Sequence, residues 1–456
     1  MDLDKSIFKS YDIRGVYPKQ LNEGITRLIA QAYLKILSQK LKKKVSDLYL
    51  AIGQDIRESS KSLNQALIDT FLDYGVKIDN LGLISINDIY FAVGYYEYDG
   101  GIVTTASHNP PQYGGFKMVM TNQDIPDSID FISGESLYQQ LSNLPLTVEK
   151  LKGSIKDKDI SQDHLRHILS FADINKIKPL KVVVDTGNGM MGLLIPHLFE
   201  KLPCQLIPLF LELDKNFLNR SPNPLVEGAT IKVSQKVIKE KADLGVIFDV
   251  DGDRMFLIDE QGNLVKGDMV LLLLAKSMLK KQPGSGIVYN LICSHAVPEL
   301  ITKWGGQPIR SEVGYRNLAD HMRKEDGLMS GEVSAHFAFK DNYYADSGFI
   351  ALVLALAAIS QDGRKLSEII KDFSLYSRGD EINIEVDDIQ AALDKIRTSF
   401  SANIKDEIDG ITVEFSDWWF NVRPSNTEPL LRITVEAKNQ KELQKHQQEI
   451  LTSLNH

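Results

Sequence analysis

The chain has 456 residues, 43% of them hydrophobic and 25% charged, with a formal net charge of −9. That length exceeds one ordinary core and implies two to four domains. The acidic balance excludes a nucleic-acid surface, which needs a basic face, and requires that any anionic substrate be met by Lys and Arg gathered against the overall sign.

Leu48–Ile52 predicts a strand and Ser60–Tyr74 a helix, its apolar residues recurring at three- and four-residue spacing. Val76–Leu81 and Gly101–Thr104 predict further strands. Lys181–Asp185 (KVVVD) opens a second unit, followed by a helix through Glu200 and a strand Gln205–Phe210, and Leu244–Phe248 runs straight into a carboxylate cluster. Gly286–Asn290 opens a third, with a helix from Pro298 and a short strand near Pro308. This rhythm implies largely parallel sheets covered by helices, in three loosely repeated α/β units. After Ser374 the strand-like runs Glu381–Val386, Ile411–Phe415, Trp419–Val422 and Leu430–Ala437, closed by an amphipathic helix Lys441–Leu454, predict a small α+β domain. Linkers are expected at Lys150–Asp159, around Asp259–Gly262 and at Ser374–Gly379, giving domains over 1–150, 151–260, 261–374 and 375–456.

Cys204 and Cys293 form no disulfide framework; each lies in an apolar run and reads as a buried free thiol. Met1–Lys9 carries charges where a signal peptide needs an apolar core, and the longest apolar runs, Met269–Ala275 and Gly348–Ile359, fall short of the about 20 residues a bilayer crossing takes. A cytoplasmic protein with no membrane partner is expected.

Four segments carry chemistry. Thr104–Pro110 sets Ser107 in a turn beside His108, with Lys117 a few residues on. A serine needs a base or a positive field to react, and backbone amides near Asn109 and the Gly114–Gly115 pair could cradle phosphate oxygens; the same residues also suit a plain polar turn. Asp249, Asp251 and Asp253 alternate at the end of an apolar strand, with Gly252 allowing a turn, so they could converge on one hard cation such as Mg²⁺. An EF-hand is discounted, because Arg254 and the apolar Met255–Ile258 follow at once; a solvated acidic turn stays open. Arg423–Pro429 offers an arginine, two hydroxyls and an amide, the makings of a phosphate clamp or of an ordinary polar loop. Glu332, Ser334 and His336 alternate, so on an extended segment they face one side and suit sugar hydroxyls, although His336 alone reads as a packed core histidine. Gly187–Gly192 also fits G-x-G-x-x-G after a strand, with Glu212 and Asp214 at ribose distance, but a tight strand-to-helix turn explains these glycines equally, and a dinucleotide site leaves the other four segments idle.

Together and in order, these segments resemble the motifs of the α-D-phosphohexomutase family, the phosphomannomutases and phosphoglucomutases. Tyr11–Gly15 is similar to the family's N-terminal signature, Thr104–Pro110 to its phosphoserine loop, Asp249–Arg254 to its metal loop, Gly331–His336 to its sugar loop and Arg423–Pro429 to its phosphate loop. The resemblance implies three related α/β domains with mixed, largely parallel sheets and a C-terminal α+β domain with a small antiparallel sheet. It implies that Ser107 is phosphorylated in the active enzyme. It further implies that Asp249, Asp251, Asp253 and the Ser107 phosphate hold Mg²⁺, that Arg254 steadies the phosphate, and that Lys117, with His108 nearby, does acid–base work. Glu332 and Ser334, with His336, would bind the sugar; Arg423, Ser425, Asn426 and Thr427 its non-reacting phosphate; Tyr11 and Arg14 would line the cleft. The implied reaction interconverts hexose 1-phosphate and hexose 6-phosphate through a hexose 1,6-bisphosphate, with glucose or mannose 1,6-bisphosphate as activator, in a monomer or homodimer.

Two departures stand out. Ile292 occupies the place of a lysine that some members carry, with Arg316 or Lys340 as substitutes, and the stretch at Gly314–Arg316 lacks a histidine found in many members. Val333 and Ala335 stand where the phosphoglucosamine branch has Gln and Gly, so the segment resembles the phosphomannomutase branch, many of whose members also turn over glucose phosphates. The alternatives are a phosphoglucosamine mutase on the same scaffold, a nucleotide-dependent enzyme using Gly187–Gly192, a sugar phosphatase and a non-catalytic sugar-phosphate binder.

Overall fold

The computed structural model describes residues 3–142, 144–146, 151–425 and 430–455. The chain divides into two compact units, Met1–Lys266 with Ser334–Ser367, and Gly267–Val333 with Glu368–His456.

The first unit contains two sheets. The first is built from β1 (Ile13–Val16), β2 (Tyr49–Gln54), β3 (Lys77–Leu83), β4 (Gly100–Thr104), β5 (Tyr113–Thr121), β6 (Ile129–Ile132) and β7 (Ser154–Asp157). Its order is β1-β5-β4-β2-β3-β7, with β6 on β5. The stretch β4-β2-β3-β7 is parallel and β1-β5-β4 antiparallel. The helices Glu58–Asp73 and Ile86–Tyr95 complete its α/β crossovers. Strand β7 corrects an expectation: the stretch read as a linker adds a parallel edge strand to β3. All four of its residues are exposed, which suits an edge bearing Lys156 and Asp157 and hides the strand from a reading based on apolar runs.

The second sheet holds β8 (Lys181–Asp185), β9 (Gln205–Leu209), β10 (Leu244–Phe248), β11 (Met255–Ile258) and β12 (Leu264–Val265), in the order β12-β11-β10-β8-β9. Val182–Asp185 and all of β10 are buried, as parallel central strands covered on both faces must be. The helix expected through Glu200 is instead a 3₁₀ turn, Met190–Leu193, and a five-residue helix, Ile195–Phe199. Pro196 fits only a first helical turn, so the α-helix cannot begin earlier.

In the second unit β13 (Gly286–Asn290), β14 (Gln307–Ser311) and β15 (Met329–Gly331) pair in parallel, in the order β14-β13-β15. The chain then returns to the first unit with the hairpin β16 (Phe337–Phe339) and β17 (Ala345–Asp346), and with the helix Gly348–Asp362. That helix is buried from Gly348 to Ser360 and packs on β11 and the helix Ser161–Ser170, as one apolar on every face requires.

The rest of the second unit is an antiparallel sheet of β18 (Ser377–Arg378), β19 (Ile382–Glu385), β20 (Ile404–Asp406), β21 (Ile411–Glu414), β22 (Trp418–Pro424) and β23 (Leu430–Ala437). Its core joins Phe400, Trp418, Phe420 and Val435 to Leu443 and Ile450 of the last helix, Gln440–Asn455. Here too an expected linker, Ser374–Gly379, contains a strand, β18. Cys293 is buried as expected, but Cys204 is only half-buried, its Sγ 3.5 Å from the Lys178 carbonyl, because its short apolar run lies at the rim of the second sheet. Among the described residues no helix is long and apolar enough to cross a membrane.

Candidate functional site

Strand β4 ends at Thr104 and delivers the chain into a turn. Ser107 sits there at φ +50°, in the left-handed region that a side-chain-bearing residue seldom adopts. Several bonds hold this conformation. The Thr105 amide donates to the Gly115 carbonyl at 3.0 Å, and the Ser107 amide to Thr105 Oγ1 at 3.0 Å. The Arg57 guanidinium donates to the carbonyls of Ser107, Asn109 (2.7 Å) and Pro110 (2.7 Å), while its Nε pairs with Asp55 at 3.0 Å. Arg14 reaches the same turn, its Nη1 2.6 Å from Asn109 Oδ1 and its Nη2 2.7 Å from Asp12. Tyr11 lies half-buried in the bend ahead of β1. Local strain fixed from several directions is the usual mark of a side chain whose aim matters.

The second half of the site is the loop Asp249–Arg254, which joins β10 to its antiparallel partner β11. Asp249, Asp251 and Asp253 are all but fully buried, and their carboxylate oxygens lie within 4.8 Å of one another. Asp249 folds the loop on itself: its Oδ1 accepts from the amides of Gly252 (3.1 Å) and Arg254 (3.2 Å), and its Oδ2 from Arg254 Nε (2.8 Å). The two halves meet at Ser107, whose Oγ donates to Asp251 Oδ1 at 3.0 Å and lies 3.1 Å from His108 Nδ1. Lys117, opposite Val103 in the β4–β5 register, sends its ammonium to Asp251 Oδ2 at 2.8 Å and to Asp253.

The charges are not balanced within this cluster. Burial, then the neighbouring Asp253, pushes Asp249 well above the usual carboxylate range. Burial acts on Asp253 in the same direction, but Lys117 and His336 outweigh it and hold that carboxyl well below its usual value. Burial, with Arg254 and Arg14 nearby, lowers His108 well below an ordinary histidine, so its imidazole is neutral at pH 7. Asp253 Oδ1 and Arg254 Nη2 are buried without a hydrogen-bond partner among the described residues. Converging hard oxygens, one unpaired and one forced toward protonation, are a donor set that could hold one divalent cation, and an unpaired guanidinium nitrogen beside them suits an anionic group.

His336 joins this region through its backbone, bridged to Arg254, and its Nδ1 lies 2.5 Å from the buried Asp346. The extended Glu332–His336 segment expected from sequence does not form. The chain turns at Val333–Ser334, and Ala335 takes φ +67° with its carbonyl accepting from the Met255 amide at 3.1 Å, so the alternation is broken. Ser334 sits half-buried in that turn. In the second unit Glu332 is buried and accepts from Asn290 Nδ2 at 2.8 Å. Arg423, near the end of β22, is buried and donates to Glu381 at 2.9 Å, and the Ser425 amide donates to the Leu430 carbonyl at 2.8 Å. Asn426 and Thr427 lie outside the described residues. Ile292 is buried, and its carbonyl accepts from Arg378 at 3.0 Å, which in turn pairs with Asp268 at 2.5 Å. Arg378 is thus a cation beside Ile292; Arg316 lies in the first turn of the helix Tyr315–Lys324 and Lys340 follows β16.

The glycines of Gly187–Gly192 have a packing role. A Cβ on Gly189 would lie 2.3 Å from the Val250 carbonyl and one on Gly192 2.0 Å from that of Leu211, while Gly187 has φ +59°. These residues let the turn lie against the acidic loop, and the Met190 amide donates to the Val250 carbonyl at 2.7 Å. Arg57, Asn87, Arg220 and Asp346 were not singled out from sequence. For Arg57 a signal existed: Asp55-Ile56-Arg57 directly follows a strand end, where ligands gather in α/β sheets.

Four family models match the chain in order. They describe α/β/α domain I (residues 5–133), domain II (162–262), domain III (266–376) and the C-terminal domain (381–453) of phosphoglucomutase/phosphomannomutase. Among similar proteins, a phosphomannomutase of Vibrio cholerae is 36% identical over 98% of this chain and 97% of its own. A phosphomannomutase of Methanocaldococcus jannaschii is 35% identical over the same shares. Among solved structures, a phosphoglucomutase/phosphomannomutase family protein of Burkholderia thailandensis superposes with a TM-score of 0.87 at 28% identity, covering 99% of this chain and 98% of that one.

Proposed function

We infer that this chain, which belongs to the phosphoglucomutase/phosphomannomutase family, is a phosphohexomutase that interconverts hexose 1-phosphate and hexose 6-phosphate, with mannose phosphates preferred and glucose phosphates accepted. The observation that carries the reading is the Ser107 hydroxyl, 3.0 Å from Asp251 and 3.1 Å from His108, on a strained turn against three buried carboxylates.

In the active form Ser107 Oγ carries a phosphoryl group. Transfer breaks the Oγ–P bond and forms an O–P bond to the free hydroxyl of a bound hexose monophosphate, giving a hexose 1,6-bisphosphate. Return of the other phosphoryl group regenerates phospho-Ser107 and leaves the isomer. The chain supplies position and charge, which dominate phosphoryl transfer. Lys117, an ammonium against Asp251 and Asp253, is the acid that protonates Ser107 Oγ as its bond to phosphorus breaks, the neutral His108 is the base that takes the proton of the attacking hydroxyl, and the return transfer reverses both proton movements. Arg254 Nη2 is the donor for the phosphate on Ser107. Asp249, Asp251 and Asp253, with that phosphate, would hold Mg²⁺, which when bound neutralises charge on the transferring group. Arg423, Ser425, Asn426 and Thr427 clamp the non-reacting phosphate; Glu332, Ser334 and His336 meet sugar hydroxyls; Tyr11 and Arg14 line the approach.

Phosphorus NMR with Mg²⁺, a trace of glucose 1,6-bisphosphate, and mannose 1-phosphate or glucose 1-phosphate in parallel tubes tests this. Conversion to the 6-phosphates, faster for mannose, with neither converted by Ser107→Ala, is the expected result. No conversion in either tube, with a third tube of glucosamine 1-phosphate converted, would move the assignment to that branch, and net release of inorganic phosphate ahead of isomerisation would make the protein a phosphatase.

A further inference from the structure

We propose that Asn87 is a positioning residue that sets the affinity of the acidic loop for its divalent cation, an inference that rests on the reading of Asp249, Asp251 and Asp253 as cation ligands. The three carboxylates point together because the loop's backbone is tied down through its carbonyls. The Phe248 carbonyl accepts from Arg220 Nη2, Val250 from the Met190 amide at 2.7 Å, Asp251 from the Ile86 amide at 3.3 Å, and Gly252 from Asn87 Nδ2 at 2.9 Å. The first two anchors come from turns that follow β9 and β8 of the loop's own sheet. The last two come from the start of the helix Ile86–Tyr95, which packs on β4 and β5 of the other sheet.

That helix end is itself fixed. Ser85 and Asp88 form a capping box, Ser85 N and Oγ lying 2.8 and 2.6 Å from Asp88 Oδ2, and Asp88 Oδ1 lies 2.7 Å from the buried His164. Asn87 is 2% exposed. Its Nδ2 faces the Gly252 carbonyl and, at 4.0 Å, Met191 Sδ, whereas its Oδ1 has no hydrogen-bond partner among the described residues. A buried amide left half-satisfied costs free energy, so the bond it does make is the reason for its place. The partner of that bond is the residue at φ +81° between Asp251 and Asp253, whose conformation decides where both carboxylates aim. Groups that orient ligands in this way typically change metal affinity by about 10- to 100-fold when removed.

The test uses full-length protein stripped of metal, titrated with Mn²⁺ and followed by electron paramagnetic resonance, for wild type, Asn87→Ala and the volume-matched Asn87→Leu. Both variants are expected to bind Mn²⁺ about 10-fold more weakly or worse, with the KM for sugar phosphate unchanged and kcat restored at saturating Mg²⁺. A merely structural role would lower the thermal midpoint of the metal-free protein without this rescue. Wild-type Mn²⁺ affinity in a folded variant overturns the proposal, as does a kcat that saturating Mg²⁺ leaves low. If the alanine variant is unfolded at the assay temperature, the leucine variant decides. Failure of wild type itself to bind Mn²⁺ overturns the reading of the acidic loop, and this inference with it.

Discussion

Lys117 sits on two of the carboxylates proposed to hold a divalent cation. The ammonium is buried against Asp251 and Asp253, so a cation held by those carboxylates would have to displace it. Lys117→Met removes that competitor. It is expected to tighten Mn²⁺ binding by about 10-fold, or about 1.4 kcal/mol, read by titration calorimetry. It should also destabilise the metal-free protein by about 3–5 kcal/mol, the usual effect of breaking a buried pair, and abolish transfer. Weaker Mn²⁺ binding in this variant would show that lysine and cation do not compete. Ser107, Lys117 and the three aspartates were legible in the sequence because their chemistry resides in side-chain type and spacing. Asn87 and Arg220 were not, because they act on backbone carbonyls, which no sequence displays. Nor was Asp346, because its contact with His336 depends on the hairpin β16–β17.

At the scale of elements, the acidic loop is shaped by what lies behind it. Gly189 shows how tightly: with the Val250 carbonyl 2.3 Å from where its Cβ would sit, Gly189→Ala forces backbone against backbone. The expected outcome is a loss of about 1–3 kcal/mol in stability, measured by denaturant melts, with Mn²⁺ affinity falling in parallel. An unperturbed melt would mean that the turn yields, and would reopen the question of why glycine stands there. The buried strands were legible as apolar runs: β8, β10 and β13 fall where KVVVD, LGVIF and GIVYN predict them. What escaped was structure without that signature. The edge strand β7 is polar and exposed, and the turn at Val333–Ser334 is completed by an alanine in a conformation that sequence ordinarily assigns to glycine.

Across the whole molecule, a chain of net charge −9 must handle an anionic substrate. Its cations gather locally: Arg14, Arg57, Lys117 and Arg254 lie around the Ser107 turn and the acidic loop of the first unit, and Arg423 and Arg432 around Glu381 in the second. Because Arg423 pairs with Glu381 and not with the aspartates, binding of phosphate and binding of cation should respond to different substitutions. Arg423→Ala is expected to raise KM for hexose phosphate by about 10-fold or more, the worth of a charge-assisted bond, with Mn²⁺ affinity unchanged; an unchanged KM in steady-state kinetics would remove Arg423 from the clamp. The third family match, residues 266–376, contains the stretch Ser334–Ser367 that packs with the first unit. During synthesis, therefore, the ribosome has produced every strand of both early sheets well before the helix that packs on β11 exists. The nascent first unit must wait, with the apolar surface meant for Gly348–Asp362 still open to water, until an intervening segment of the other unit has been translated. Such a chain is most exposed to chaperones and to aggregation between those two moments, and a pause in translation near residue 330 would lengthen that window.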